Sequence, residues 1–299
     1  MLFFTILVAF FGIGTFAQVN AIVDSMKISF GVPIYITDII LTLLVGIIIF
    51  GGLKSIARAA TAIVPFMAVL YFVTCFSILI LHITEIPAAI MLIIDSAFNG
   101  HAALGGFAGS TMMMAMQNGI ARGVFCNESG LGSAPIAAAA AKTNWPAEQG
   151  LISMTGTFID TLFICTMTGT TLILTGEWAG THAGAAMTNA AFSYDYGSIG
   201  GIILTVSLIL FAFTTILGWN YYGERACQYL FGIKGIVPYR IIFTILVASG
   251  AYLELQSIWV LADIVNGLMA IPNLIAIIAL SGVISLETKK YFEHLKENK

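Results

Sequence analysis

Residues 117–142 read QNGIARGVFCNESGLGSAPIAAAAAK, and the meaning of this stretch decides the fold. A helical run reaches Arg122 and then meets Gly123, Gly130, Gly132 and Pro135, with Asn127, Glu128 and Ser129 between them. Glycine and proline at this density break a helix. Alanine-rich helix is expected to resume as far as Lys142, with Ser133 placed to cap its start and Pro135 in its first turn. If the segment lies at membrane depth, such backbone is tolerated only where it packs in protein or lines a cavity. The spacing therefore predicts two half-helices that meet near the bilayer midplane, with 125–132 unwound. The second half would present free N–H groups and a positive end to a carboxylate. The first would present free carbonyls to a cation or an ammonium group. The same spacing also fits a kinked structural helix packed against its neighbours.

Membrane depth follows from composition. Of 299 residues, 59% are hydrophobic and 9% charged, and mean hydropathy is +0.98. A water-facing surface needs about a quarter charged residues, so most of this chain faces lipid. Its apolar runs are continuous rather than alternating, which selects helices over a barrel. The runs are 2–23, 36–53, 62–83, 106–142 (interrupted), 149–175, 199–222, 238–254 and 257–285. That makes an all-α, polytopic membrane protein of about eight spans. Segment 84–105 is too polar to cross and is expected to lie along one face. The stretch after 286 reads as a charged, solvated tail.

Orientation follows from the bases, which collect on the cytoplasmic side. Lys54, Arg58, Lys142, Arg225, Lys234, Arg240, Lys289, Lys290, Lys296 and Lys299 fall on one side of the eight-span path, whereas Lys27 stands opposite. The opposite loops carry acids: Asp24, Glu85, Asp95, Glu177, Asp195 and Glu254. Both ends of the chain are thus expected in the cytoplasm. No basic cluster points to nucleic acid, and Cys75, Cys126, Cys165 and Cys227 sit in or beside apolar runs as free thiols.

Other polar residues fall inside spans. In span one, Gly14 and Gln18 share a face, and the amide suits either a ligand carboxylate or a neighbouring helix. In span six, Thr215 and Trp219 are also four apart, with Thr214 beside them. A hydroxyl is a hard oxygen ligand for a small cation, and an indole can wall a compact pocket. A threonine bonding its own helix with tryptophan as packing fits equally well. Asp160 lies mid-span and is expected to pair with Arg122. Glu128 is expected to tie the half-helices together by accepting their N–H groups.

With these residues in view, the chain resembles the alanine or glycine:cation symporter family, the sodium:alanine symporters. The resemblance rests on RGVFCNESGLGSAPIAAAAAKT (122–143), WPAEQG (145–150), FIDTLFICTMTGT (158–170), FAFTTILGWNYYGE (211–224) and GIGTFAQVNA (12–21). It implies a LeuT-like fold of two inverted five-helix repeats in a single transmembrane domain, 1–299. Residues 1–83 would hold core helices three to five, 84–285 core helices six to ten, and 286–299 the cytoplasmic tail. It implies sodium-coupled symport of a small amino acid, alanine or glycine, across the plasma membrane, by alternating access in a monomeric unit. Substrate contacts carry over as Gln18, Phe125, Cys126, Asn127, Thr215 and Trp219, and sodium contacts as Thr214 and Thr215. Sodium is the coupling ion, and no cofactor is implied. The family generally has serine and alanine where this chain has Cys126 and Ser129. Nothing here resembles core helices one and two, and only one interrupted span is seen where an inverted repeat requires two. The expectation is an N-terminally truncated carrier, inactive alone.

Two other functional classes fit the sequence less well. A channel would place its filter in repeated rings around an axis, whereas the polar residues here are scattered over spans one, four and six. An intramembrane hydrolase using Ser129 needs a base within reach, and His82, His101, His182 and His294 fall in loops or the tail. The chain reads as a transporter and not an enzyme.

Overall fold

The computed structural model describes residues 1–98 and 108–297, without the side chains of 97, 98, 108–112 and 115. His101 and Lys299 lie outside the described residues. The chain is all-α, with no strand among the described residues.

The first apolar run forms α1 (Leu2–Phe11) and α2 (Phe16–Phe30), separated by a turn at 12–15. This corrects the expectation of a single interrupted span. Two glycines in four residues weaken helix there, and side chains take up the carbonyls that the break releases. Thr15 Oγ1 donates to the Ala9 carbonyl at 2.6 Å, and Gln18 Nε2 donates to that of Ile13 at 3.2 Å.

Pro33 ends the following loop, and α3 (Ile34–Phe50) and α4 (Leu53–Leu81) come next, then the short α5 (Ile86–Phe98). Helix α6 (Ala108–Asn127) leads to the unwound residues 128–133 and a single turn, α7 (Ala134–Ala138). Helix α8 (Pro146–Phe158) passes through a π-helical turn, Ile159–Cys165, into α9 (Thr166–Leu174). Three long elements close the chain. These are α10 (Ala185–Phe231), kinked at Gly197, then α11 (Ile236–Gly250) and α12 (Leu255–Glu297).

Six stretches are long and apolar enough to cross a membrane among the described residues: Leu2–Phe30, Leu53–Leu81, Pro146–Leu174, Ala185–Phe231, Ile233–Gly250 and Leu255–Glu297. The expected span at 36–53 appears as the shorter α3, and that at 106–142 is divided by its break.

Helices α1, α2 and α10 make the centre. Val8, Ala9, Val19, Ile216 and Ala226 on them are fully buried, and Ile49 of α3 and Val247 of α11 close over these. The outer helices turn their aliphatic residues outward. Ile47 is 70% exposed and Ile278 74%. An apolar exterior of this extent is what a lipid-facing surface requires.

Two expectations about charged residues need correction. Arg225 and Arg240 are helical rather than in a loop, because the buried Glu224 of α10 holds both. Arg240 donates to Glu224 at 2.7 and 3.1 Å, and Arg225 at 2.5 Å. The tail continues as α12 rather than standing free, since its rings find a partner. His294 stacks on Trp145 with centroids 4.9 Å apart, and Tyr291 lies 5.9 Å from the same indole.

Breaking a buried ion pair from one side leaves an uncompensated charge, a cost of about 3 kcal/mol. Arg240→Met should lower thermal stability in detergent by about that amount. Arg225→Met should cost clearly less, since Arg225 is 32% exposed against 15% for Arg240. Equal losses would mean that Glu224 does not depend on Arg240.

At the opposite end of α4, His82 Nε2 lies 3.0 Å from Asp195 Oδ1 and Nδ1 lies 3.5 Å from Glu85 Oε1. The hydrogen bond to Asp195 raises the His82 pKa above its ordinary value, against a smaller lowering by burial. A raised histidine adds stability that is full below its unfolded pKa and lost as pH rises through the folded one. Melting temperature should therefore fall as pH rises from about 6.5, and His82→Gln should remove that part of the slope.

Candidate substrate and ion site

The unwound segment begins at Glu128, so Phe125, Cys126 and Asn127 occupy the last turn of α6 rather than the break itself. Glu128 has φ +55°, the left-handed region that a side chain enters at a cost of about 1–2 kcal/mol. Two side-chain donors compensate. Ser133 Oγ donates to Glu128 Oε2 at 2.5 Å, and Trp219 Nε1 donates to Oε1 at 3.0 Å. Glu128 therefore fastens the break to α10 through side chains, not to backbone N–H groups as expected. Ser133 sits at the cap position of α7 but makes no capping bond, because its hydroxyl is spent on Glu128.

Gly132 completes the turn at φ +90°, and Asn273 of α12 donates to the Gly130 carbonyl at 2.9 Å. The alanine-rich stretch does not resume as a long helix. Among the described residues its five-residue turn ends at Ala138, so the strong positive end expected for a carboxylate is not built there. A cleft of about 340 Å³ opens beside the break, lined by Asn127, Glu128, Ser129, Ser153, Thr157 and Asn273 among others.

Trp219, 1% exposed, joins the two breaks. Its side chain packs on Gly14, where an added Cβ would lie only 2.5 Å from Trp219 Cβ. The notch at 12–15 and the unwound turn at 128–133 thus meet the same indole from two sides. Asn220, next in sequence, is fully buried with neither side-chain atom hydrogen-bonded among the described residues. Such a buried amide is expensive, and it stands beside the junction.

The remaining expected residues are less concentrated. Phe125 lies tilted against Trp259 with ring centroids 4.9 Å apart and is packed against the central core. Cys126 turns toward Asp160 and Cys165. Asn127 Oδ1 accepts from the Ser129 N–H at 2.9 Å, closing a local turn. Thr215 Oγ1 donates to Phe211 O at 2.9 Å. Thr214 Oγ1 donates to Leu210 O and Phe211 O at 3.0 Å and lies 3.7 Å from Met67 Sδ. These donations occupy the hydroxyl hydrogens and leave the oxygen lone pairs as acceptors.

Arg122 does not pair with Asp160. It reaches Asp263 of α12 at 2.5 Å and lies over the Trp259 ring at 4.3 Å, because the π turn points Asp160 at Cys126 instead. Sequence reasoning missed Asn220, Asn266 and Asn273. The signal available was an amide inside an apolar run, the same signal that singled out Gln18.

Interrupted helices that converge on a buried indole inside a lipid-facing bundle define a polytopic membrane protein. The chain belongs to the sodium:alanine symporter family, whose profile matches residues 1–299. It is 61% identical over 297 residues to an uncharacterized transporter of Haemophilus influenzae, covering 99% of this chain and 65% of that protein. It is 47% identical over 289 residues to the sodium/alanine symporter AgcS of Methanococcus maripaludis, covering 95% of this chain and 63% of AgcS. To the probable sodium/glutamine symporter GlnT of Bacillus subtilis it is 38% identical over 284 residues, covering 94% and 59%. The chain thus spans less than two thirds of the length of these relatives. The family match begins at residue 1 of this chain.

Gly14 meets the Trp219 side chain whereas a Cβ at Gly218, its neighbour in sequence, faces open space, so the two make a direct test of the packing. Gly14→Ala should destabilise the protein and red-shift tryptophan emission, since the new methyl group overlaps Trp219. Gly218→Ala has nothing within 4 Å of its new Cβ, and inside α10 it should be neutral or gain up to about 1 kcal/mol. Equal responses from the two variants would refute the contact.

Proposed function

We propose that this chain carries the working core of a sodium-coupled symporter for a small neutral amino acid, alanine or glycine, operating by alternating access as a monomeric unit. The observation that supports this most is the convergence of both helix breaks on Trp219. A family of sodium:alanine symporters supplies the chemistry to look for there, and AgcS, a sodium/alanine symporter by name, is 47% identical over nearly the whole chain. The relative named for glutamine leaves substrate size to the local packing. In this chain the Trp219 side chain packs directly on Gly14.

In this reading the C-terminal end of α6 attracts positive charge, the sodium ion or the substrate ammonium, through carbonyls near Glu128. Trp219 walls the pocket, and Thr215, Gln18, Phe125, Cys126 and Asn127 line it or shape its approach. Thr214 and Thr215 offer hydroxyl oxygens to sodium. Residues 1–83 and 84–285 form parts of two inverted LeuT-like repeats. The protein sits in the plasma membrane with both ends of this chain cytoplasmic. The positions of the bases support that orientation. Gly52, beside Lys54, approaches the Arg240 guanidinium, since a Cβ there would sit 3.6 Å from Nη2, which brings two basic segments to one end.

Equilibrium binding of radiolabelled alanine to the purified chain in nanodiscs tests the reading. Binding should saturate and should require sodium, with glycine competing and glutamine competing weakly. Thr215→Val should raise the sodium concentration for half-saturation about tenfold, the worth of about 1.4 kcal/mol, without changing the melting temperature. Binding that is unsaturable, or indifferent to sodium, would sink the proposal. In sealed cells a tag on the C-terminal tail should be cleaved only after permeabilisation.

A further inference from the structure

We propose that Cys126, Asp160 and Cys165 form a binding site for a thiophilic divalent cation such as zinc or cadmium, distinct from the sodium ligands Thr214 and Thr215. Cys126 Sγ lies 2.9 Å from Asp160 Oδ2 and 3.2 Å from Cys165 Sγ, and the three ligand atoms all lie within 4.8 Å of one another. Two thiols and a carboxylate are a donor set that selects zinc-like ions over magnesium or calcium.

The backbone is shaped to bring this set together. In an α-helix, residues five apart diverge by about 140° around the axis, so Asp160 and Cys165 would face different neighbours. The π-helical turn, Ile159–Cys165, bonds each residue to the fifth one on and returns the two to one face. That face meets the last turn of α6, where Cys126 stands. Cys126 is exposed and the other two are partly so, which leaves an approach for an ion among the described residues. Cys75 and Cys227 are buried elsewhere.

Binding involves no oxidation. The two S–H bonds break, two protons go to water, and two metal–sulfur bonds form while an Asp160 carboxylate oxygen and a water take the remaining positions. Tetrahedral bonds of about 2.3 Å set sulfurs about 3.7 Å apart, so the thiols separate by about half an ångström. A disulfide would need a sulfur–sulfur distance of about 2.05 Å and an external oxidant, and it would leave the carboxylate without a role. A bound ion would pin the end of α6 to the π turn and so hold the unwound segment against span five.

The test is maleimide labelling of the reduced, purified chain with and without cadmium or zinc, read cysteine by cysteine by mass spectrometry. Saturating cadmium should slow labelling of Cys126 and Cys165 about tenfold or more by mass action. Calcium and magnesium should leave it unchanged, and Cys75 and Cys227 should not respond. Asp160→Asn should weaken the protection, and Cys126→Ser should abolish the thiolate-to-cadmium absorption band. Equal labelling of the unmodified protein with and without cadmium overturns the proposal, as does protection of one cysteine alone. That comparison needs no variant, so a substitution that prevents folding does not block it.

Discussion

Backbone polar groups released inside hydrocarbon have to find partners within the protein, and at the central break Asn273 meets that demand for the Gly130 carbonyl while the Glu128 carboxylate ties the turn to its neighbours. Glu128 is held in a left-handed conformation by the hydroxyl of Ser133 and the indole of Trp219. Each unsatisfied group in lipid costs several kcal/mol, more than the strain of one residue at positive φ. The unwound turn therefore persists because α10 reaches it with a donor, and α12 adds a second tie through Asn273. Without Trp219 the break would have no buried partner on α10 for its carboxylate.

The same indole explains why α1, α2 and α10 occupy the centre. Gly14 lets Trp219 lie against the first break, and Ala9, Ile216 and Ala226 pack around it with no exposure. Membrane helices gain little from excluding lipid, so close packing of small residues and buried hydrogen bonds must hold them together. Two such bonds end on Glu128, and the charged cluster around Glu224 works in the same way five residues beyond Trp219 on α10. The outer helices α8 and α12 present aliphatic surface to lipid.

Fold class was legible because composition leaves a membrane protein no other option, and the break at 128–133 was legible because glycine, proline and polar residues cluster there. The break at 12–15 was hidden because GIGT sits inside an apolar run with no proline to mark it. Pairing of Arg122 could not be read either. Its partner Asp263 lies 141 residues away on α12, and only the π turn, a register change without a sequence signature, removes Asp160 from reach. The short α7 and the docked tail have the same origin, since both depend on tertiary neighbours rather than propensity. Of the candidate site, Trp219 and the Glu128 turn stood out as polar or bulky residues in apolar runs. The buried amides of Asn220 and Asn273 carried the same mark as Gln18, an amide inside an apolar run, but nothing in the sequence says which way they face.

The π turn also sets where the second half of its span looks. It holds one residue more than an α-helical path of the same rise, so α9 is rotated by about 100° relative to a straight continuation of α8. Thr168 meets the Tyr71 hydroxyl at 2.6 Å only in that phase. A related chain one residue shorter between Ile159 and Cys165 would turn Thr168 toward lipid, and α4 would have to find a different anchor for its tyrosine.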